Sequence, residues 1–359
     1  MSKKNRYGLI LAGGRGTRFW PRSRRTHAKQ VMRFLGERSL IQQTVDRLRP
    51  AIPPERLWVI TNDHLRAEIV RQLPEVPARQ ILAEPAQRNT APCIGLAAHI
   101  LESIDPQAVF GVFPADHFIS RPKEYLKLLT PAFAAAERGD IAVIGIQPRW
   151  PETGYGYIEF PKGVEAGKLE TVKVRKFREK PDLPTAKRFL RSGNFYWNAG
   201  MFFWRTSVFL DALRQFQPET AALIDGLPPF SSRKFGTAVA AAFPKCENIS
   251  VDYAVLERAR NVVGVAAGDI GWNDVGSWNA VYELMSRDEE GNFSRSPALM
   301  ESSSGNYVDA SGKLVALLGV KDLVVVDTPD ALLIADRSRA QEVGNLVKLL
   351  EKQNRHDLL

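Results

Sequence analysis

YGLILAGGRGTRFWPRSRRTHAKQ, residues Tyr7 to Gln30, is two kinds of chain joined at Gly13. Tyr7 to Ala12 is a short apolar run with the length and composition of a buried strand. Gly13, Gly14 and Gly16 then let the backbone turn sharply and let a ligand approach the main chain. Arg15, Arg18, Arg22, Arg24, Arg25 and Lys29 place six positive charges within fifteen residues. A strand that ends in a glycine-rich, cationic loop is a place to hold phosphate, although a glycine turn alone can be no more than a tight turn. Two well-known phosphate loops do not fit. The dinucleotide fingerprint GxGxxG would need glycine at Phe19, and the Walker A pattern GxxxxGK[ST] lacks its lysine after Gly16.

With 359 residues the chain can bury a substantial core, as one large domain with an appendage or as two domains. Its 44% hydrophobic and 25% charged residues are those of an ordinary globular protein. No apolar run nears the ~18 residues of a membrane span. The opening MSKKNRYGLILAGG begins with basic residues as a signal peptide does, but its apolar run is shorter than the ~7–15 residues of a true h-region. A cytoplasmic location is therefore expected. Cys93 and Cys246 are the only cysteines, and neither they nor the five histidines show zinc-ligand spacing. Two buried thiols are expected. The net charge of +9 is uneven: residues 1–50 hold 13 Lys/Arg against 2 Asp/Glu, and the remainder 36 against 38. A basic patch can serve nucleic acid. Here it lies beside the glycine loop, without the interleaved aromatics of a single-strand binder. A phosphorylated small molecule explains it better, and neither nucleic acid nor membrane is expected as a partner.

Outward from this stretch, Ser39–Leu48 carries apolar residues at Leu40, Ile41, Val45 and Leu48, near helical spacing, with Ser39 as N-cap. Leu57–Ile60, Ile81–Ala83, Ala108–Phe113 and Ile141–Ile146 are apolar runs of strand length, and helices are predicted at His64–Leu73 and Cys93–Leu101. That alternation predicts an α/β fold: a Rossmann-like mixed, mainly parallel sheet flanked by helices, with ligands at the carboxyl ends of the strands. The glycine loop and Pro114-Ala115-Asp116-His117 both follow such strands, which makes them neighbours. Gly154–Phe160 and Val172–Glu179 alternate apolar and polar residues, as an antiparallel insertion over one end of the sheet would. Phe195–Trp204 is dense in aromatics and suits a core or a pocket wall. Helices are also predicted over Leu210–Leu227 and Tyr253–Arg260. From about Arg287 the composition turns to Asp, Glu, Gly and Ser. The chain is therefore divided into a domain over 1–288 and a small β-rich C-terminal region over 289–359. That region holds apolar runs at Leu314–Val320, Leu323–Val326 and Ala331–Ala335 and a closing helix over Ser338–Lys352. No repeat in it is regular enough to read as a solenoid.

LAGGRGTRFWPRSR, with Lys29-Gln30 behind it, resembles the signature of the sugar-nucleotide pyrophosphorylases, or nucleotidyltransferases. Its Phe-Trp-Pro-x-Ser-Arg is most similar to that of the mannose-1-phosphate guanylyltransferases. Further family motifs follow in order: Asn89–Pro92, Pro114–His117, Gly154–Ile158, Phe177–Pro181, Trp197–Phe202 and Gly271–Trp278. The resemblance therefore runs over residues 7–285. One position departs: the family usually has Pro before the Lys-Gln pair, and Ala28 in its place predicts a looser loop. The resemblance implies the nucleotide-diphospho-sugar transferase fold. It also implies a reaction of GTP with mannose 1-phosphate, assisted by Mg2+, giving GDP-mannose and pyrophosphate. Another sugar nucleotide, such as GDP-heptose or a UDP-hexose, and a non-catalytic paralogue that senses GDP-mannose are the alternatives. Some members carry a further phosphomannose isomerase domain, for which 359 residues leave no room, so a single activity is expected. The oligomeric state stays open, with a homodimer through the C-terminal apolar runs as one option.

The residues suit that chemistry. The attacking phosphate monoester is already an anion near pH 7, its second pKa being about 6. No general base is needed; charge neutralisation and alignment are. The resemblance assigns the nucleotide to Leu11, Ala12, Gly13, Gly14, Gly16 and Thr17, and backbone N–H groups around the glycines can cradle phosphate. Arg18 can clamp the departing pyrophosphate through a bidentate fork, and Lys29 adds a point charge. Mg2+ takes one or two carboxylates beside substrate phosphates. The resemblance assigns them to Asp116 and Asp274, although an Asp after a strand also caps helices. Glu179 and Lys180 are implied as sugar and sugar-phosphate contacts, against the plainer reading of a solvated pair. Asn198 fits a polar contact in an aromatic wall, and Gly156 leaves room for the sugar. Asp252 fits the sugar or the N-cap of the next helix equally. Guanine offers N1–H and N2–H2 donors, so its pocket wants acceptors: Glu84, with Asn89 and Thr90 nearby.

Overall fold

The computed structural model describes residues 5–359; residues 1–4, the start of the leader-like opening, lie outside them. The strands in chain order are β1 Arg6–Leu11, β2 Leu57–Asn62, β3 Ile81–Glu84, β4 Val109–Pro114, β5 Phe118–Ile119, β6 Ile141–Ile146, β7 Tyr157–Glu159, β8 Val172–Lys173 and β9 Lys176–Arg178. They continue with β10 Phe195–Arg205, β11 Val262–Ala267, β12 Trp272–Asn273, β13 Phe293–Ser294, β14 Ala298–Glu301, β15 Tyr307–Asp309, β16 Val315–Leu318, β17 Leu323–Asp327 and β18 Leu332–Asp336. The main sheet has the order β3-β2-β1-β4-β10-β6-β11-β8, with β7 on β10 and β9 on β7. β3, β2, β1 and β4 run parallel, as do β6 and β11, and β10 is antiparallel to both β4 and β6. The mainly parallel mixed sheet flanked by helices is the expected one.

Near-continuous apolar strands of this kind are covered on both faces. Successive side chains alternate between those faces, so Leu9 joins one buried cluster and Ile10 the other. β1 lies beside β4 with Leu11 opposite Pro114, and the Ala115 N–H donates to the Leu11 carbonyl at 3.0 Å. The glycine loop and the Pro114–His117 turn therefore leave the sheet side by side. Ser39 caps the helix Leu40–Leu48 through a reciprocal capping box with Gln42.

Several elements differ from the sequence reading. Val172–Glu179 is two strands, β8 paired with β11 and β9 with β7. Leu210–Leu227 breaks at Gln217 into helices Thr206–Phe216 and Pro218–Asp225, because Pro218 cannot continue the first. Tyr253–Arg260 shrinks to one π-helical turn, Asp252–Leu256. Helices Pro122–Glu137, Leu183–Ser192 and Phe235–Ala242 add to those expected from the sequence.

The C-terminal region is a short solenoid. Phe293 pairs in parallel with Tyr307, Tyr307 with Val324, and Ala298 with Val315. Coils of unequal length hide this repeat from the sequence. Nor is the region detached. Phe19, Trp20, Trp278, Tyr307 and Val347 share one buried cluster. Phe19 lies 5.2 Å edge-on from Trp278, and Trp278 lies 5.5 Å from Tyr307. The indole N–H groups of Trp278 and Trp20 donate to the carbonyls of Trp20 and Leu358 at 3.2 and 3.0 Å. Cys93 and Cys246 are buried and unpaired. Among the described residues no helix is long and apolar enough to cross a membrane.

Candidate active site

Two cavities, of about 660 and 640 Å3, open at the carboxyl ends of β1 and β4 and share Leu11 and Thr90 in their walls. Around the first lie all nine residues assigned to the nucleotide: Leu11, Ala12, Gly13, Gly14, Gly16, Thr17, Glu84, Asn89 and Thr90. Gly16 has φ 63°, and a Cβ there would stand 2.8 Å from Lys29 Cβ and 2.9 Å from its backbone nitrogen. Only glycine makes this turn. Buried Gln30 holds the loop from behind, donating to the carbonyls of Ala12 and Gly14 at 2.6 and 3.0 Å. Asn89 accepts from the Thr90 N–H at 2.9 Å and caps the helix Thr90–Ile104, whose positive dipole end adjoins the cavity. Burial pushes the Glu84 carboxyl up to about 7.

Gly156, Glu179, Asn198 and Asp252 line the second cavity, together with Arg18, Lys180 and Asp274. The register of β10 shifts between Asn198 and Phe202, a bulge of the kind that re-aims side chains beside a site. There Asn198 Nδ2 donates to Asp252 Oδ1 at 3.0 Å, and Asn198 Oδ1 accepts from the Gly200 N–H at 3.0 Å. Asp252 is not an N-cap: Val251 holds that position. Glu179 Oε1 lies 3.5 Å from Lys180 Nζ, while its Oε2 is buried without a hydrogen-bond partner. Burial, then the Asp252 charge, push the Glu179 carboxyl up to about 7 against the pull of Lys180, and burial raises Asp252 as well. Trp197 packs edge-on against Trp150 and Tyr155, and Tyr155 against Trp272, as an aromatic wall.

Lys29 lies between the cavities and is buried. Its Nζ is 2.8 Å from Asp116 Oδ2 and donates to the Asp274 backbone carbonyl at 2.6 Å. Asp116 borders the first cavity and Asp274 the second, so one ammonium joins the Asp116 carboxylate to the Asp274 backbone. Burial raises the Asp116 carboxyl, but the Lys29 ammonium, the neighbouring His117 and a backbone hydrogen bond together hold the group below its usual range. The Tyr155 hydroxyl donates to Asp274 Oδ1 at 2.6 Å, and burial together with that carboxylate keeps the phenol protonated. His117 Nδ1 accepts the Trp272 indole N–H at 3.2 Å, and burial pushes its pKa down to about 4, so the ring is neutral at pH 7. Among the described residues no group of three or more His, Cys, Asp or Glu is arranged to hold a metal by itself.

The basic cluster is placed differently from the expectation. Arg15 pairs with Glu351 at 2.7 Å, Arg22 with Asp309, and Arg24 with Asp330 at 2.9 Å. Arg18 donates to Gln341 Oε1 at 2.6 Å and borders the second cavity. Much of the charge around the glycine loop thus docks the C-terminal region, and of these four arginines Arg15 alone also lines the first cavity. The looser loop expected from Ala28 is not seen: Ala28 is buried at φ −79°, and Lys29 beside it is held at both aspartates. Sequence reasoning gave no role to Gln30 or Tyr155, although both lie in quoted motifs. It also missed Gly344, Lys348 and Glu351, which line the first cavity and carry no local signal.

Residues 7–291 match the nucleotidyl transferase family, and residues 301–350 match the MannoseP isomerase/GMP-like beta-helix domain. The mannose-1-phosphate guanylyltransferase of Escherichia coli K12 is 38% identical over 369 residues, covering 99% of this chain and 76% of that protein. The alginate biosynthesis protein AlgA of Pseudomonas aeruginosa is 37% identical over 364 residues, covering 97% and 73%. The chain spans about three quarters of these relatives' length. The crystal structure of mannose-1-phosphate geranyltransferase from Thermus thermophilus matches with a TM-score of 0.83 at 31% identity, covering 97% of this chain and 99% of that one. With most of its length in the family match and relatives this similar over nearly all of the chain, it belongs to the nucleotidyl transferase family, among the mannose-1-phosphate guanylyltransferases.

Proposed function

We propose that the chain transfers GMP from GTP to α-D-mannose 1-phosphate, giving GDP-mannose and pyrophosphate. The observation that carries this reading is the join between the cavities, where Lys29 bridges Asp116 and Asp274. With GTP in the first cavity and the sugar phosphate in the second, the attacking oxygen meets the α-phosphorus at that join. Two carboxylates without a third protein ligand are the hard, incomplete donor set that suits Mg2+, which substrate phosphates complete. When bound there, Mg2+ polarises the phosphoryl group and offsets the charge of the leaving pyrophosphate. Tyr155 fixes the Asp274 carboxylate, and Lys29 holds the Asp116 carboxylate beside the Asp274 backbone.

The remaining residues position the reactants. Loop N–H groups around Gly13, Gly14 and Gly16 take phosphate oxygens, and Glu84 accepts from guanine. Mannose hydroxyls donate to Glu179 and Asp252, with Asn198 holding Asp252 in place, while Lys180 meets the sugar phosphate. The nucleophile is already anionic, so neutral His117 has no proton to take. Both reactants are water-soluble phosphates, and the reaction is assigned to the cytoplasm. The test supplies GTP, mannose 1-phosphate and Mg2+ and measures pyrophosphate with GDP-mannose. Equimolar release is expected; no turnover, or faster turnover with another nucleotide and sugar phosphate, overturns the reading.

A further inference from the structure

The first cavity is closed on one side by an element outside the 7–291 family match. The helix Val343–Lys352 brings Gly344, Val347, Lys348 and Glu351 into its wall, at the spacing of a single helix face. The helix is seated on the nucleotide loop itself. A Cβ on Gly344 would lie only 3.3 Å from Thr17 Oγ1 and 3.7 Å from Arg18 Cγ. Val347 is buried in the cluster that holds Phe19 and Trp20. Two cations stand in this wall, and they differ. Arg15 is engaged by Glu351 at 2.7 Å, whereas Lys348 has no ion-pair or hydrogen-bond partner among the described residues.

We infer that this helix is a working wall of the nucleotide site, with Lys348 a further phosphate-binding residue and Glu351 a positioning residue that withholds Arg15. The inference rests on the GTP reading of the first cavity. A lysine ammonium is a mobile point charge that reaches phosphate without demanding a fixed geometry. Lys348 is exposed at the cavity's rim, free to swing toward a bound triphosphate, and its attraction therefore weakens with added salt. Glu351 acts with the opposite sign. Its carboxylate competes with the triphosphate for the Arg15 guanidinium, so GTP must displace one anion to gain that fork. Removing the two side chains should therefore move GTP affinity in opposite directions, which a helix that merely supports the fold would not do.

Isothermal titration calorimetry of the full chain with GTP and with guanosine, each in the presence of Mg2+, reads both effects. Lys348→Met is expected to weaken GTP about tenfold and leave guanosine unchanged, as loss of a charge-assisted contact would. Lys348→Arg restores most of the affinity, and Glu351→Gln tightens GTP severalfold. Equal GTP affinity in wild type and Lys348→Met overturns the phosphate assignment. So does an equal loss for GTP and guanosine, which reports a displaced helix. Unchanged or weaker GTP binding in Glu351→Gln overturns the withholding role. A wild-type chain that binds no GTP removes the nucleotide reading itself, and this inference with it.

Discussion

Glu179 carries a buried carboxylate oxygen without a hydrogen-bond partner, next to a second raised carboxyl at Asp252. Such an orphaned acceptor costs about 1–3 kcal/mol to bury, and a donor from the sugar would satisfy it. The cost has a pH signature. The Glu179 carboxyl titrates near 4.5 when unfolded and near 7 when folded. The folded state therefore binds the proton more tightly, and this stabilising contribution is complete below about 4.5 and lost as pH rises through about 7. Glu179→Gln removes the loss. At pH 8 it is expected to melt several degrees above wild type, on the order of 2 kcal/mol, with the difference vanishing toward pH 4.5 and turnover falling. Calorimetric melts at both pH values check this, and equal melting at pH 8 would sink it. Tyr155 makes a second residue-scale case. Tyr155→Phe deletes the donor to Asp274 and should raise the Mg2+ concentration for half-maximal turnover by about tenfold. Mn2+ binding followed by spin resonance should weaken in parallel; an unchanged metal requirement refutes the positioning role. The candidate site residues were legible because they sit in short contiguous motifs. Tyr155 was not, since its partner lies 119 residues away and only the fold brings the two together.

At the scale of elements, what reads well is what burial imposes locally. β1, β2, β4 and β6 are apolar runs because both faces of the sheet are covered, and their positions are evident within a residue or two. β10 reads as an aromatic wall but not as the antiparallel strand between β4 and β6, because its bulge interrupts simple alternation. The turn into Lys29–Val31 shows an element tolerating a departure from the family pattern. Ala28 sits at φ −79°, close to the dihedral a proline ring enforces, and its N–H has no partner among the described residues. The preceding His27 is in a β-bridge with Arg24, the extended conformation that proline favours before it. Ala28→Pro should therefore stabilise the chain by about 0.5–1 kcal/mol, mainly by restricting the unfolded state. A melting temperature raised by a few degrees with the KM for GTP unchanged is expected; a lowered one would show that the buried ring does not fit.

For the molecule as a whole, the composition change near residue 288 marks where the chain's texture alters, and that much is readable. Asp288 lies in the turn that Asn292 closes. The apolar core does not respect that point: Phe19, Trp20 and Trp278 on one side pack with Tyr307, Val324 and Val347 on the other. Contacts between the two ends of the chain leave no trace in local composition, so this union was invisible before the fold. It predicts shared stability. Tyr307 is fully buried, 5.5 Å from Trp278 and 5.4 Å from Phe293. Tyr307→Ala opens a cavity under the cluster that seats both the turn Thr17–Phe19 and the helix Val343–Lys352, at a cost of about 3–5 kcal/mol. Because that cluster belongs to both segments, the loss should appear as one calorimetric transition shifted down for the whole chain. The KM for GTP should rise with it, since the displaced helix forms a wall of the first cavity. Two separated transitions, with the upper one and the KM unmoved, would show instead that the C-terminal solenoid folds and fails on its own.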